Sequence, residues 1–170
     1  MIKKLLSTLL GLFLLIFAVF TVLMNYRPAV PQLDKYAYQM NSQQSEGSLT
    51  VQFIGNTNLL VSDGETSILT DGFFTRPSIP RILWGEIEPD GDIINYCLGR
   101  AGIQKLDAVI PVHSHFDHAM DSPIVVEMTG AKLVGSESTL NIGRGLDLPE
   151  DQMIKVESGM AVQFGSMKVT

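Results

Sequence analysis

The spacing of apolar positions changes character along the chain. Leu5 to Met24 is an unbroken run of twenty uncharged residues, relieved only by Ser7, Thr8, Gly11 and Thr21. As a helix, such a run is long enough to span a bilayer core of about 30 Å. From Asn25 to Gly47 the signal fades. Pro28 and Pro31 stiffen the start of this stretch and Asn41 to Ser45 is wholly polar, so it reads as a linker. From Ser48 the period falls to two. Leu49 to Ile54 alternates as a half-buried strand should, Leu59 to Ser62 and Thr66 to Thr70 follow as strands, and Asp63-Gly64 supplies a hairpin turn.

Phe73 to Pro89 is apolar but irregular, with Pro77, Pro80 and Pro89 expected to break any helix. It could line a pocket, touch a membrane or cover the sheet. Asp92 to Arg100 predicts a helix capped by Asp90 or Asp92, with Ile93, Ile94, Cys97 and Leu98 on one face and Gly99 or Gly102 at its end. Leu106 to Val112 is a short apolar strand. Ser122-Pro123 predicts a helix start, with Ser122 as N-cap and Ile124, Val125 and Met128 as the apolar face. Lys132 to Val134 predicts a strand and Ser136 to Ile142 a Ser-capped helix. The pair of glycines around Arg144 suits either a helix end or an anion contact. Short strands are expected at 153–156, 161–164 and 167–169.

Composition sharpens the first of these readings. Lys3 and Lys4 precede the apolar run and Arg27 follows it, which favours a cytoplasmic N-terminus with the rest exported. A cleaved signal peptide is the alternative, but its apolar region is usually about 7–15 residues and ends in a pair of small residues, which Thr21 to Asn25 lacks. The net charge is −6. Residues 1–46 hold four basic and two acidic side chains, so residues 47–170 carry −8. No basic stripe exists, and nucleic-acid binding through phosphate contacts is not indicated. The single cysteine, Cys97, can form no disulfide within the chain.

The candidate chemistry is concentrated in one place. All three histidines fall at His113, His115 and His118, with Asp117 among them, directly after the 106–112 strand. Imidazole and carboxylate form the ligand set suited to zinc, and also to manganese or iron. In an extended segment His113 and His115 leave on the same side and could share one metal. A turn would bring Asp117 and His118 back for a second, and two metals about 3.5–4 Å apart suit hydrolysis.

The sequence His113-Ser-His115-Phe-Asp117-His118 resembles the HxHxDH signature of metallo-β-lactamase-fold hydrolases, closest to their lactonase and phosphodiesterase-like branch. The resemblance covers residues 48–170. It implies an α+β fold, the first half of an αβ/βα sandwich with a mostly antiparallel sheet and flanking helices. It also implies a hydrolase that directs a metal-bound hydroxide at an ester, lactone or phosphodiester, with Asp117 orienting the attacking oxygen and two zinc ions in the complete protein. Asp71, in an Asp-Gly pair at a strand end, matches a supporting position beside the metals. Asp121 is expected as a helix cap or as a partner of a ligating histidine. Asn56 departs from the pattern, because that branch often carries His there. The family's remaining ligands lie well beyond the signature, and no histidine follows His118. The domain is therefore expected to be incomplete at its C-terminus. An iron-binding redox member of the same fold and a truncated non-catalytic binding protein are the alternative functions. The expected substrate is a small molecule or a lipid, the latter because residues 5–24 would hold the enzyme at a membrane.

Overall fold

A computed structural model describes residues 2–25 and 47–170. The expected 25–47 linker lies almost entirely outside the described residues. The chain divides into two compact units, Met1–Gln43 and Gln44–Thr170.

Helix α1 (Ile2–Asn25) has a mean hydropathy of 2.6 over its most apolar window and buries none of its residues. Its polar positions are neutralised locally. The hydroxyls of Ser7 and Thr8 donate to the Lys4 carbonyl, and Thr21 donates to the Phe17 carbonyl. A hydroxyl satisfied in this way leaves no free donor facing an apolar surrounding. Length and composition make α1 able to cross a membrane, and a signal sequence near an N-terminus has the same character.

The second unit is built on a six-stranded mixed sheet in the order β1-β2-β3-β4-β5-β6. Strands β1 (Thr50–Gly55), β2 (Asn58–Ser62) and β3 (Ser67–Thr70) form an antiparallel meander. Strands β4 (Ala108–Ile110), β5 (Lys132–Gly135) and β6 (Met153–Lys155) then continue from β3 in parallel. Three of the five strand pairings are thus parallel, where the sequence suggested mostly antiparallel pairing. Each parallel step needs a crossover, and helices supply it. These are α2 (Ile79–Trp84) and α3 (Gly91–Ala101), then α4 (Phe116–Ala119) and α5 (Ser122–Thr129), then α6 (Glu137–Gly145). A separate hairpin, β7 (Val162–Phe164) with β8 (Met167–Val169), ends the chain.

Period-two alternation divides the apolar side chains between the two faces. On one face the register aligns Leu69, Val109, Leu133 and Met153 across four strands. They pack with Ile94 and Leu98 of α3, Val125 and Val126 of α5, and Leu140 of α6. On the other face Ile68, Ala108 and Val134 meet Phe164, with Val162 and Met167 of the terminal hairpin packed beside them. Central strands covered on both sides read as continuous apolar runs, as these do.

Several expectations shift in detail. Strand β1 exposes its apolar positions: Val51 and Phe53 are 56% and 65% accessible. It is an edge strand, and the β7–β8 hairpin packs on the face of β3–β6 rather than over it. The 73–89 segment holds a six-residue helix despite its prolines, because Pro80 sits at the helix start, where its missing N–H costs nothing. That helix leaves Leu83 and Trp84 exposed, Trp84 at 82%. In α3 Ile93 faces solvent and Ile94 and Leu98 carry the buried face. In α5 the buried residues include Val125, Val126 and Thr129, while Met128 is exposed. The glycine at 143 serves packing, since a Cβ there would lie 2.8 Å from the Met153 sulfur. Arg144 is engaged by Glu137 and Glu150.

Candidate metal centre

The site lies at the carboxyl ends of two adjacent parallel strands, where open α/β sheets characteristically hold their ligands. Thr70 of β3 pairs with Ile110 of β4, and the Asp71 N–H extends the ladder by donating to the Ile110 carbonyl at 3.1 Å. Both chains then leave the sheet. After β3 the backbone turns through two left-handed residues, Asp71 at φ 57° and Gly72 at φ 81°. After β4, Pro111 offers no N–H for the ladder, and residues 112–115 form bends rather than the expected strand extension. Helix α4 starts at once, with His115 as its N-cap residue and Asp117 and His118 in its single turn.

Asp71 is fully buried and joins these segments. Its Oδ1 accepts the Val112 N–H at 2.9 Å, and its Oδ2 lies 2.9 Å from His118 Nδ1. The Ser122 hydroxyl donates to the Asp71 carbonyl. Thr57 Oγ1, in the β1–β2 turn, stands 3.5 Å from the same His118 nitrogen. A carboxylate at Nδ1 fixes the proton on that nitrogen and leaves Nε2 as the free lone pair, the usual arrangement behind a metal-ligating histidine.

Three of the four expected ligands converge. One ligand atom from each of His113, Asp117 and His118 lies within 4.8 Å of the others. Asp117 Oδ2 is 3.8 Å from His118 Nε2, on the side of the ring away from Asp71. The His113 and His118 rings are tilted at 45° with centroids 4.0 Å apart. His115 stands outside this trio, although its ring packs edge-on against His113 at 4.6 Å. The local bend therefore groups His113 with the α4 residues, instead of the His113–His115 and Asp117–His118 pairs expected from an extended segment. Two imidazoles and a carboxylate around one point fit a divalent zinc, manganese or iron ion. His113 and Asp117 are exposed, so the point is open to solvent, whereas His118 is half-buried against its support.

Asp121 has a different surrounding from the one expected. It occupies the N-cap position of α5, but its side chain makes no cap bond. It turns instead to the segment after β3, where Oδ2 accepts the N–H groups of Phe74 at 2.7 Å and Thr75 at 2.5 Å. Burial pushes this carboxyl above the usual aspartate range, against the pull of those two backbone bonds. Asn58 was not distinguished from a turn residue by the sequence. It is 1% accessible and grips the same segment. The signal that could have marked it is an asparagine at the first position of an apolar strand. Asn56 lies in the β1–β2 turn in the left-handed conformation, φ 52°.

No protein-family model matches the chain. Among curated proteins it is 28% identical over 120 residues to a UPF0173 metal-dependent hydrolase of Myxococcus xanthus, covering 70% of this chain and 36% of that protein. It is 30% identical over 88 residues to a UPF0173 metal-dependent hydrolase of Heliobacterium modesticaldum, covering 52% of this chain and 30% of that one. The chain thus spans about a third of the length of these relatives. Among solved structures it is similar to metallo-β-lactamase SMB-1 bound to 2-mercaptoethanesulfonate, at 17% identity and a TM-score of 0.48, covering 72% of this chain and 49% of that chain. The relatives are named metal-dependent hydrolases, consistent with the superfamily that the 113–118 motif resembles.

Proposed function

We propose that the chain carries the metal-binding motif of a membrane-anchored hydrolase acting on an ester, lactone or phosphodiester. The observation that carries this reading is the convergence of His113, Asp117 and His118 at the ends of parallel strands, with His118 held from behind by a buried carboxylate. Zinc is the preferred ion, and two ions are proposed, with His115 contributing to the second. A bound ion would supply Lewis acidity and lower the pKa of a water towards about 7.

The protein's own contributions follow from the geometry. Asp71 keeps the His118 proton on Nδ1, so that Nε2 is left free as a ligand. His113 and Asp117 close the other sides of the point. The exposed Asp117 carboxylate can accept a hydrogen bond from the attacking water and so orient it towards a substrate entering from solvent. Because α1 carries the composition of a membrane span, a lipid-derived substrate is included with soluble ones.

The test is metal content and turnover of the full chain purified in detergent, assayed on a panel of ester, lactone and phosphodiester substrates. Stoichiometric zinc that falls at least tenfold in affinity in His113→Ala and His118→Ala supports the reading. Absence of divalent-metal binding in the wild-type chain, or binding unchanged in both variants, would overturn it.

A further inference from the structure

Four consecutive backbone N–H groups follow Asp71, and all four are received by two buried side chains from elsewhere in the fold. Asn58 Oδ1 accepts from Gly72 and Phe73, each at 3.0 Å, and Asn58 Nδ2 donates to the Phe73 carbonyl at 2.7 Å. Asp121 Oδ2 accepts from Phe74 and Thr75. Residues 72–75 are buried and lie outside any strand. Without these two side chains their N–H groups would face a dry interior with little to pair with, apart from the contact of Gly72 with the Thr70 carbonyl.

We infer that Asn58 and Asp121 are positioning residues that act on His118 through Asp71, a role that rests on reading His113, Asp117 and His118 as a metal centre. Asp71 must hold a left-handed backbone to bring its carboxylate between the Val112 N–H and His118 Nδ1. A non-glycine residue keeps that conformation only when its surroundings impose it. The two clamps impose it from the C-terminal side, while the β3–β4 ladder fixes the N-terminal side. The bracing is reciprocal. His118, Asp121 and Ser122, within five residues of one another, reach Asp71, the 74–75 backbone and the Asp71 carbonyl respectively. The ligand-bearing segment and the loop behind it are therefore locked together at three points.

The chemistry of Asp121 argues for the same role. Its Oδ1 is buried and has no hydrogen-bond partner among the described residues. A buried carboxyl with an orphaned oxygen is costly, and an apolar residue would fill the space more cheaply. What the carboxylate supplies in exchange is a pair of charge-assisted bonds to the loop.

The experiment reads the His118 tautomer by 15N NMR of the histidine-labelled full chain in detergent, without metal, at a pH where imidazole is neutral. The wild type is expected to hold His118 as the Nδ1–H form. Asn58→Ala and Asp121→Ala are expected to raise the Nε2–H fraction at least several-fold, with Asp71→Ala as the limiting case. Asp121→Asn keeps an acceptor for both N–H groups and is expected to restore the wild-type tautomer. Leu133→Ala, a core change on β5 that removes none of the clamp hydrogen bonds, controls for general loosening and is expected to leave the tautomer unchanged. Should either alanine variant fail to fold, Asn58→Asp replaces them. It sets an oxygen against the Phe73 carbonyl, and a measurable Nε2–H fraction is again expected. Zinc affinity by chelator competition should fall about tenfold or more in the variants that shift the tautomer. A wild-type tautomer in the clamp variants, or the same shift in Leu133→Ala, overturns the assignment. Absence of zinc binding by the wild type, together with the tautomer shift in the clamp variants, refutes the metal reading alone.

Discussion

Single residues at this site are defined by what stands behind them. Replacing Asp71 with Ala strands the Val112 N–H and frees the His118 ring. The expected outcome is a 10- to 100-fold loss of zinc affinity, with a stability cost of about 1–3 kcal/mol for the buried groups left unpaired. Chelator competition and urea denaturation check the two parts. A second residue has a pH signature. Asp63 accepts from the Ser166 hydroxyl and from the Glu65 and Thr66 N–H groups, which hold its pKa at about 2 against an ordinary 3.8. A lowered folded-state value means stability that is full above 3.8 and is lost as pH falls through about 2. Asp63→Asn should flatten that acid-side loss in denaturation curves recorded across the window. Asp121, whose value burial raises, has the opposite sign: its contribution falls as pH climbs through its folded-state value. The candidate ligands were legible as a cluster because four metal-binding side chains within six positions are a local pattern, while the exclusion of His115 from the converging trio was not. The supports were partly so. Asp71 followed from the resemblance, but Asn58 bonds a segment 14–15 residues away, and Asp121 reaches back 46–47. Such pairings depend on tertiary placement that residue spacing does not encode.

At the scale of elements, local signals worked where the cause was local. Asp90 caps α3 by accepting from Asp92 and Ile93, Gly102 ends it in the left-handed conformation, and Ser136 caps α6, all as expected from residue type. Strand β4 was overestimated because apolar Val112 continued the run past Pro111, a residue that cannot extend the ladder. Strand β1 forms where expected but lacks the expected alternation of burial, since Val51, Gln52 and Phe53 are all exposed, and which side of it is covered depends on the position of the β7–β8 hairpin, more than a hundred residues later. The turn after β3 carries the sharpest prediction at this level. Gly72 adopts φ +81°, and a Cβ there would stand 3.3 Å from Val109 Cγ1 in the row that aligns the parallel strands. Gly72→Ala combines backbone strain with overpacking, and a loss of about 1–3 kcal/mol is expected by thermal or urea denaturation.

For the whole molecule, the sheet explains why the candidate ligands gather at one point. Two parallel strands end side by side, the crossover after each begins at that point, and the candidate ligands and their supports meet there. The N-terminal unit makes a separate prediction. If α1 anchors the chain with its N-terminus in the cytoplasm, an enzyme reporter that is active only outside the cytoplasm, fused after Thr170, should be active. A reporter active only inside would reverse the orientation. Helix α2 offers one more measurement. Trp84 is the only tryptophan in the chain and is 82% accessible at the end of an apolar turn. Intrinsic fluorescence excited at the indole therefore comes from one known point. Its emission should be that of a hydrated indole wherever this surface is bare, and should move to shorter wavelength when lipid or polypeptide covers it. The native chain thus carries its own unlabelled optical gauge for contacts made thirteen residues downstream of Asp71.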